Sequence, residues 1–535
     1  MFRPASPVVP IRGWWNRRWL LALLVLALAL PLVWPVTPPL TDLPEHMGRY
    51  RIELSDPASP LRTTFYHFRW HFLANLGVDL LILPLAPVFG LELGVKLIVI
   101  AIVLLTGAGL LWIAREAHGQ VPPTALLALP LAYSFPLIWG FLNYMLSMAL
   151  ALNAFALWLR LARQGRWRLR AGLFVGIGLV LTTAHIFGWA VLCLLAFAAE
   201  IVRERDAGRR LIPALWHGGL GCLPLAPPIL LMLIWRSGDA SARNVDWFFW
   251  RAKYVYAVSA LRSTNLSFDA NTVYVLWTLV LVGLTGFGLR VNRTLGIATV
   301  MLIVAYVLLP RILLGSAYAD MRLAPYMLLV GVVALVPTSP SRRLAGTIAV
   351  AAVGLLGVRL ALLTTDFARR DAAARHQLEA LDHVRPGSRV FVQASLDCLR
   401  QWTTTRMDHL GAMAIVRRGA FVNGQWTDPG AQLVRIAYLP ARGFAEDPTE
   451  VVRPEACRDR NRVRYPNMVN ALPHEAFDYV WLIDMPRARW NSFPGLTPIW
   501  TGGTSGILYR VEPPVAGSAT NPIETPVGRS PRTAA

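Results

Sequence analysis

The sequence predicts an all-α polytopic membrane bundle followed by a small external α/β domain, and three observations lead to this fold class. The 535-residue chain is 55% hydrophobic and only 16% charged, whereas about 25% of residues are charged in a soluble globular domain. Apolar runs of about 17 or more residues, long enough to cross the hydrocarbon core as helices, recur along residues 19–364. After Thr365 they give way to short β-rich runs separated by turns.

Eleven apolar runs are predicted to span the membrane. They are 19–36, 94–114, 121–138, 141–159, 169–184, 186–202, 211–235, 272–289, 294–312, 322–337 and 344–363. A further run, 70–89, contains Asp79, Pro84 and Pro87 within its apolar stretch. We expect this run to form an interfacial or re-entrant helix within a long first external loop, 37–93.

Arginine distribution sets the predicted orientation. Residues 1–18 carry four arginines, which the positive-inside rule places in the cytoplasm. With eleven spans, the arginine-rich loops at 160–170, 203–210, 290–293 and 342–343 are also cytoplasmic and the C-terminal domain is external. The formal charge of +21 (52 Lys and Arg against 31 Asp and Glu) then reflects topology, and no nucleic-acid partner is expected. We expect a multi-pass protein of the bacterial cytoplasmic membrane with a periplasmic C-terminal domain.

The predicted external domain covers residues 365–512. Residues 366–384 are typical of an amphipathic helix, and β-rich runs follow at 389–394, 479–484 and 506–511. Cys398 and Cys457 are the two cysteines of this domain and form a candidate disulfide, because oxidation is allowed outside the cytoplasm. The tail 513–535 is rich in Pro, Gly, Ser, Thr and Ala and is predicted to be disordered.

The first candidate site follows the first predicted span and contains Asp42, Glu45 and His46. A carboxylate held just above an apolar surface is partly desolvated, which raises its basicity and suits a general base. His46, one turn later, would orient the acid or share a metal. Alternatively, Asp42 caps a helix that begins at Pro44, with Glu45 in the capping-box position. The two interpretations are compatible, since a capping carboxylate can still face a cavity.

A second group of polar side chains lies at the start of the re-entrant run and supplies candidate substrate-binding residues: Tyr66, His67 and His71. In a helix, His67, His71 and Asn75 would share one face. Two histidines four residues apart can bind zinc, but no third ligand is in register. An interfacial helix is the stronger interpretation, so no metal ligand is assigned and a divalent-metal cofactor stays an open alternative.

Arg311 and Arg322 are basic residues at predicted outer ends of spans, against the orientation rule. A guanidinium beside apolar walls suits a lipid phosphate, which arginine can grip with two N–H groups. The alternative is an ion pair with Asp320. Asn143 and His185 complete the candidate substrate-binding residues, although a lone histidine at a span junction is more often a hydrogen-bonded structural residue.

Charges are scarce inside the predicted spans, and Arg359 lies close enough to a span end to reach the interface. A transporter would need ionisable groups near mid-membrane. The pattern therefore favours chemistry at the outer surface over transport.

This layout resembles the C-type glycosyltransferase superfamily, and in plan the protein O-mannosyltransferase and lipid A aminoarabinose transferase group. The resemblance covers most of the chain: a cytoplasmic N-terminus, one span, a long first external loop, a many-span bundle and an external C-terminal domain. Family members carry an acidic motif near the start of the first loop, and Asp42 and Glu45 within DLPEH fall at that position. The overall plan is a more specific likeness than these residues. Relatives often have another acid in the second external loop, where this chain offers only Asn143.

The resemblance implies inverting transfer of a sugar from a polyprenyl-phosphate donor to an envelope glycan, lipid or protein acceptor. Asp42 would be the general base, and Arg311 and Arg322 would stabilise the departing lipid phosphate. The C-terminal domain would cover the cavity or recognise the acceptor, through Trp402, Trp426 and His409, although these three also fit a structural core.

Two other classes stay open. A lipid-linked glycan polymerase or ligase would be expected to carry its large external loop between late spans. A non-enzymatic envelope assembly protein would tolerate Asp42→Asn. Membrane lipids are partners in every case, and the lack of a dominant small-xxx-small motif predicts a monomer.

Overall fold

The computed structural model describes residues 13–234, 244–313, 316–338, 341–395, 402–404, 406–427, 432–445, 451–452 and 467–512. The chain forms two compact units. The first, here called the membrane unit, comprises Met1–Pro39, His71–Arg369 and Trp402–Thr404. The second, the sheet unit, comprises Leu40–Trp70, Arg370–Gln401 and Thr405–Ala535. The proposed disulfide between Cys398 and Cys457 and the tail 513–535 lie outside the described residues.

Helices make up most of the described chain, and strands are concentrated near its C-terminus. The α-helices are α1 (Arg18–Ala27), α2 (Leu30–Val33), α3 (Leu43–Leu54), α4 (Gly77–Phe89), α5 (Leu91–His118), α6 (Phe135–Trp139), α7 (Leu142–Arg163), α8 (Trp167–Ala184), α9 (Ile186–Asp206), α10 (Leu211–Gly221), α11 (Pro228–Ile234), α12 (Trp250–Val258), α13 (Leu266–Thr285), α14 (Arg293–Leu308), α15 (Ala319–Val333), α16 (Arg342–Leu378), α17 (Met413–Arg418) and α18 (Asn467–Asn470). The strands are β1 (Tyr66–Phe68), β2 (Leu289–Val291), β3 (Leu335–Pro337), β4 (Arg389–Ser395), β5 (Phe421–Val422), β6 (Val434–Ile436), β7 (Val451–Val452), β8 (Tyr479–Pro486), β9 (Leu496–Thr501) and β10 (Ser505–Val511).

Within the described residues, six helices are long and apolar enough to cross a membrane: α5, α7, α8, α9, α13 and α16. The number rises to seven if the helical segments Leu211–Gly221 and Leu223–Met232, which are bent by 46° relative to each other, form one broken span. Several long apolar helices indicate a multi-pass membrane protein, as the sequence predicts.

The predicted number of eleven spans is not confirmed. Four of the predicted runs, 19–36, 121–138, 294–312 and 322–337, contain no single helix longer than 16 residues. At about 1.5 Å per residue, such a helix reaches roughly 24 Å, less than the hydrocarbon thickness of about 30 Å. The run 121–138 also contains Pro130 inside a 3-10 helix, Pro123–Tyr133, before α6 begins.

The segment 66–89 differs in part from the prediction. Helix α4 is 13 residues long, contains Pro84 and Pro87, and is too short to count as a span. The expected helical face through His67, His71 and Asn75 is wrong, because His67 lies in strand β1 and residues 69–76 are not helical. Pairing of β1 with the distant strand β6 imposes an extended backbone here.

Helix α16 joins the last predicted span, 344–363, to the predicted amphipathic helix 366–384 in one 37-residue helix. No Pro or Gly lies between Val358 and Leu378, so nothing in the sequence interrupts the helix. The boundary between the two units falls inside it, after Arg369.

The sheet unit is built on one main sheet of strand order β5-β4-β8-β10-β9, with β7 beside β4. Strand β4 runs parallel to β5, β7 and β8, and β10 runs antiparallel to β8 and β9. The three predicted strands are present as β4, β8 and β10, and their central residues are buried, as expected of near-continuous apolar runs.

The segment 40–70 belongs to the sheet unit, which the sequence analysis did not anticipate. Strands β1 and β6 pair antiparallel, with Tyr66 opposite Ile436. Helix α3 approaches α17 closely at Gly48, where an added Cβ would lie 2.5 Å from Gln425 Oε1 and 3.2 Å from Ile415 Cδ1. Glycine therefore permits this contact, which brings the start of α3 close to the C-terminal residues.

Candidate active site

Asp42 and Glu45 lie on either side of His409 in the sheet unit. Asp42 Oδ1 is 3.7 Å from His409 Nε2, and Glu45 Oε2 is 3.4 Å from His409 Nδ1. Both ring nitrogens therefore face a carboxylate. The arrangement places an acid and a histidine side by side, as general acid–base chemistry requires.

The two carboxylates of this cluster differ in accessibility. Glu45 is buried, and its Oε1 accepts a hydrogen bond from the backbone N–H of Trp426. The side chains of Asp42 and His409 are 19% and 18% exposed. Glu45 is therefore fixed in place, whereas Asp42 is the carboxylate that a substrate can reach.

Asp42 has the position of a helix cap but not the side-chain hydrogen bond of one. Asp42 occupies the N-cap position of α3, but its side chain makes no capping hydrogen bond, and the helix begins at Leu43 rather than Pro44. One oxygen of Glu45 accepts from the Trp426 N–H, and the other faces His409. Both acids remain near the helix N-terminus, where the helix dipole favours negative charge.

The ring of His46 stacks on Tyr50, with centroids 6.4 Å apart. A second histidine, His409, lies beside Asp42 and Glu45. A tertiary contact between residues so far apart in the chain leaves no local sequence signal, although His409 was one of three aromatic candidates in the C-terminal domain.

Tyr66 and His67 are both in β1 but differ in environment. Tyr66 is completely buried. Its hydroxyl donates to the Val422 carbonyl at 3.0 Å and accepts from the Val422 N–H at 3.0 Å. Burial raises the pKa of Tyr66, so this phenol stays neutral and has a structural role. His67 is exposed, and His71 lies in the membrane unit. Among the described residues, no group of three or more His, Cys, Asp or Glu side chains is arranged to hold a metal ion.

Asn143 anchors the start of α4 within the membrane unit. Its Nδ2 donates to Asp79 Oδ2 at 2.9 Å and to the Asn75 carbonyl at 2.6 Å, while its Oδ1 accepts from Val78 N–H at 2.6 Å. Asp79 is buried. Asn143, which the sequence placed in a loop, therefore lies in the first turn of α7, where its amide is hydrogen-bonded to a carboxylate of α4.

Arg322 and His185 meet around Tyr144, also in the membrane unit. The guanidinium of Arg322 lies 4.3 Å from the ring centroid of Phe141 and 6.0 Å from that of Tyr144. The Tyr144 hydroxyl donates to the Arg322 carbonyl at 2.5 Å, and its ring packs edge-on against His185 at 5.5 Å. His185 Nδ1 accepts from Phe187 N–H at 3.2 Å as the N-cap of α9, which favours the tautomer with the proton on Nε2.

Arg311 pairs with Asp246 and not with Asp320. Its Nη1 donates to Asp246 Oδ2 at 3.0 Å, whereas Asp320 pairs with Lys253 at 3.2 Å in a nearly water-free position. The guanidinium also contacts the Tyr256 hydroxyl and lies 5.7 Å from the ring centroid of Tyr318. Burial raises the pKa of Tyr256 to about 12, although the Arg311 charge acts to lower it. Arg311 is therefore held between an acid and two phenols.

A row of aromatic rings connects the surroundings of the two arginines. Tyr318, which lies under Arg311, is 5.3 Å from Trp139, and Trp139 is 6.2 Å from Phe141, which lies under Arg322. Tyr318 adopts a left-handed backbone with φ of 62°, a conformation that costs a non-glycine residue about 1–3 kcal/mol and is concentrated at functional sites. Two cations on apolar aromatic faces suit an anionic lipid head group.

Arg359 does not reach the interface, and that prediction is wrong. It is completely buried, with Nη1 donating to Asp269 Oδ1 at 2.6 Å and Nη2 donating to the carbonyls of Tyr133 and Leu261. Asp269 Oδ2 also accepts from Trp402 Nε1 at 2.8 Å. Asp269, which no sequence pattern singled out, supplies a buried counter-ion, so the guanidinium does not need to reach water.

Comparisons with known proteins give no family assignment: no protein-family model matches the chain, and no curated protein is significantly similar to it. The resemblance in layout to C-type glycosyltransferases therefore stays a prediction.

Proposed function

We propose that the protein is an integral-membrane glycosyltransferase that moves a sugar from a polyprenyl-phosphate donor to a cell-envelope acceptor at the outer face of the cytoplasmic membrane. The observation that carries the proposal is the position of His409 between Asp42 and Glu45. Deprotonation of an acceptor hydroxyl can use these three groups: a reachable carboxylate as the base, a histidine beside it, and a buried carboxylate that is fixed in place.

In the proposed reaction, Asp42 takes the proton of the acceptor hydroxyl while that oxygen attacks the anomeric carbon. The glycosidic bond forms, the bond from the anomeric carbon to the phosphate oxygen breaks, and the electron pair leaves with the lipid phosphate. His409 orients the Asp42 carboxylate, and Glu45 in turn orients His409. Within the membrane unit, the resemblance assigns binding of the lipid phosphate to Arg311 and Arg322, whose guanidinium groups suit a phosphate.

The proposed topology retains eleven spans, with the shorter apolar helices counted, a cytoplasmic N-terminus and an external C-terminal domain. The arginine-rich C-terminal end of α7 and the turn after it support this orientation, since Arg160, Arg163 and Arg166 lie there. A phosphatase or fluorescent reporter fused after Gln164 is expected to report a cytoplasmic location. An external location would refute the topology and place Asp42 on the wrong side for an envelope acceptor.

The experiment that tests the activity is complementation of a deletion strain with Asp42→Asn, combined with mass spectrometry of extracted polyprenyl-phosphate-linked sugars. The amide keeps the size of the side chain and cannot accept the proton, so we expect loss of complementation and accumulation of the lipid-linked donor. Asp56→Asn is the matched control, because Asp56 is an exposed aspartate of the same segment. Full complementation by Asp42→Asn would exclude Asp42 as the base and favour a non-enzymatic assembly role.

A further inference from the structure

The ion pair between Arg311 and Asp246 leaves part of the guanidinium's hydrogen-bonding capacity unused. Asp246 Oδ2 accepts from Nη1 at 3.0 Å, and the two side chains are 21% and 23% exposed. Among the described residues, no acceptor is recorded for the buried Nε–H of Arg311. An anion with more oxygens than one carboxylate offers can therefore satisfy this arginine better than Asp246 does.

The backbone presents Asp246 to Arg311 in an unusual conformation. Asp246 has φ of 62° and Phe248 has φ of 55°, a left-handed region that side-chain-bearing residues rarely adopt. A short antiparallel bridge holds the segment in place, with Val245 N–H donating to the Ile312 carbonyl at 3.1 Å and Ile312 N–H to the Val245 carbonyl at 3.2 Å. The carboxylate is thus tethered beside the arginine and can leave it by side-chain rotation alone.

Aromatic side chains follow Asp246 directly and face outward. Trp247, Phe248 and Trp250 are 52%, 45% and 60% exposed. Their rings form a continuous row, with centroids 6.5 Å apart for the first pair and 6.0 Å apart for the second. Exposed aromatic rows of this kind offer an apolar surface for a lipid chain.

We propose that Asp246 is an internal competitor for a polyprenyl phosphate: it occupies Arg311 when no lipid is bound, and the phosphate displaces it, with the prenyl chain lying along Trp247, Phe248 and Trp250. The inference rests on the proposed function, because the ligand is the lipid phosphate of the donor. A phosphate monoester carries about −1.5 to −2 charge near neutral pH and therefore competes well with a single carboxylate. A tethered carboxylate has a high effective concentration, so it weakens lipid binding and promotes release of the product phosphate.

The test measures binding of polyprenyl monophosphate to the full-length protein in nanodiscs of neutral lipid by native mass spectrometry. Asp246→Asn is expected to tighten binding about fivefold, the factor expected from loss of a partly exposed ion pair. Asp206→Asn is the matched control, since Asp206 pairs with Arg293 in the same unit, and it should leave affinity unchanged. Arg311→Gln should abolish binding, and Arg311→Lys, which retains the charge without the planar fork, should weaken it.

Different outcomes test the two parts of the proposal, which are the competitor role of Asp246 and the phosphate site at Arg311. If Asp246→Asn binds as the wild type does while Arg311→Gln loses binding, the competitor role is wrong and the donor site at Arg311 stands. If Arg311→Gln binds normally, the phosphate site itself is wrong. Competition with inorganic phosphate and with neutral polyprenol measures the contributions of the head group and of the chain to affinity separately. The assignment of the prenyl chain to the aromatic row would be overturned by either of two results. Inorganic phosphate would compete as strongly as the lipid, or Trp250→Ser would leave the affinity unchanged.

Discussion

The Nε2 atom of His409 lies 3.7 Å from Oδ1 of Asp42, although the two residues come from opposite ends of the chain. Two elements create this contact: α3, which Asp42 caps, and the segment that leads into α17. The close approach of these elements at Gly48 makes the position of Asp42 dependent on the C-terminal residues. The C-terminal part of the chain therefore contributes to the candidate acid–base cluster itself.

Removal of the His409 imidazole is expected to slow the reaction without weakening substrate binding. With His409→Ala, Asp42 loses the group that orients it, so kcat should fall about 10–100-fold while KM changes little. Added imidazole should restore part of the rate, which a purely structural role would not allow. The measurement is sugar transfer in membrane vesicles from the complemented strain.

His67→Ala is the control for this variant, because His67 is an exposed histidine of the same unit. A rate for His409→Ala equal to that of the control would remove His409 from the mechanism. A low rate that imidazole does not raise would indicate a structural contribution instead.

Loss of one partner of the buried pair Arg359–Asp269 is expected to destabilise the protein more than replacement of both partners. Arg359→Met leaves the buried Asp269 carboxylate without its counter-ion, which costs about 3–5 kcal/mol. The double variant Arg359→Met/Asp269→Asn should be less destabilised than Arg359→Met alone, because the uncompensated charge is gone while an amide can still accept from Trp402. The thermal unfolding midpoint in detergent checks both.

Arg293→Met provides the reference for an exposed pair, since Arg293 and Asp206 are 39% and 56% exposed. Such pairs contribute about 0–1 kcal/mol, so little change is expected. An equal loss from Arg359→Met and Arg293→Met would contradict a dominant role for the buried pair.

Sequence patterns predicted the parts of this fold that depend on local composition. Strands β4 and β8 were visible as apolar runs because both are buried, and the acidic segment was visible because Asp42 follows an apolar stretch. The partners of these residues were not predictable: His409, Asp269 and Asp246 are brought to Asp42, Arg359 and Arg311 by tertiary packing alone. The number of spans is not confirmed for a different reason: hydropathy measures apolar length without showing where a helix ends. Examples are Ser134, between the 3-10 helix Pro123–Tyr133 and α6, and residues 28–29, between α1 and α2.

The ion pair between Arg389 and Asp478 should make the stability of the sheet unit depend on acid pH. Partial burial alone would raise the pKa of Asp478, but the hydrogen bonds and charge of Arg389 outweigh it and hold this pKa below its ordinary value of 3.8. The folded state therefore binds the proton less readily than the unfolded state. The ion pair therefore contributes its full stabilisation above about pH 4. This stabilisation is lost as pH falls through the lowered pKa of Asp478.

Asp478→Asn is accordingly expected to lower the unfolding midpoint at pH 7, and the difference from wild type should shrink toward pH 2–3. The midpoint can be measured by proteolysis at increasing temperature, which reports unfolding of the sheet unit without requiring the membrane helices to unfold. Asp56→Asn, at an exposed position, should show no such dependence. A difference between Asp478→Asn and wild type that is the same at both pH values would contradict the assigned shift.

Asn143, in the first turn of α7, offers a test of whether this position needs an acid. If Asn143 replaced a catalytic carboxylate, Asn143→Asp would be neutral or would raise activity. The structure predicts the opposite, because Asn143 donates to Asp79 Oδ2 at 2.9 Å and to the Asn75 carbonyl at 2.6 Å. An aspartate cannot donate these bonds and would face Asp79 as a like charge, at a cost of about 1–3 kcal/mol or more.

The swapped variant Asn143→Asp/Asp79→Asn separates the two explanations. It reverses donor and acceptor across the same contact, so it should recover much of the stability that Asn143→Asp loses, although the bond to the Asn75 carbonyl stays broken. Unfolding midpoints of the two single variants and the double variant form a complete cycle. We expect a favourable coupling between positions 79 and 143, and additive losses at the two positions would show that this hydrogen bond does not hold α4 in place.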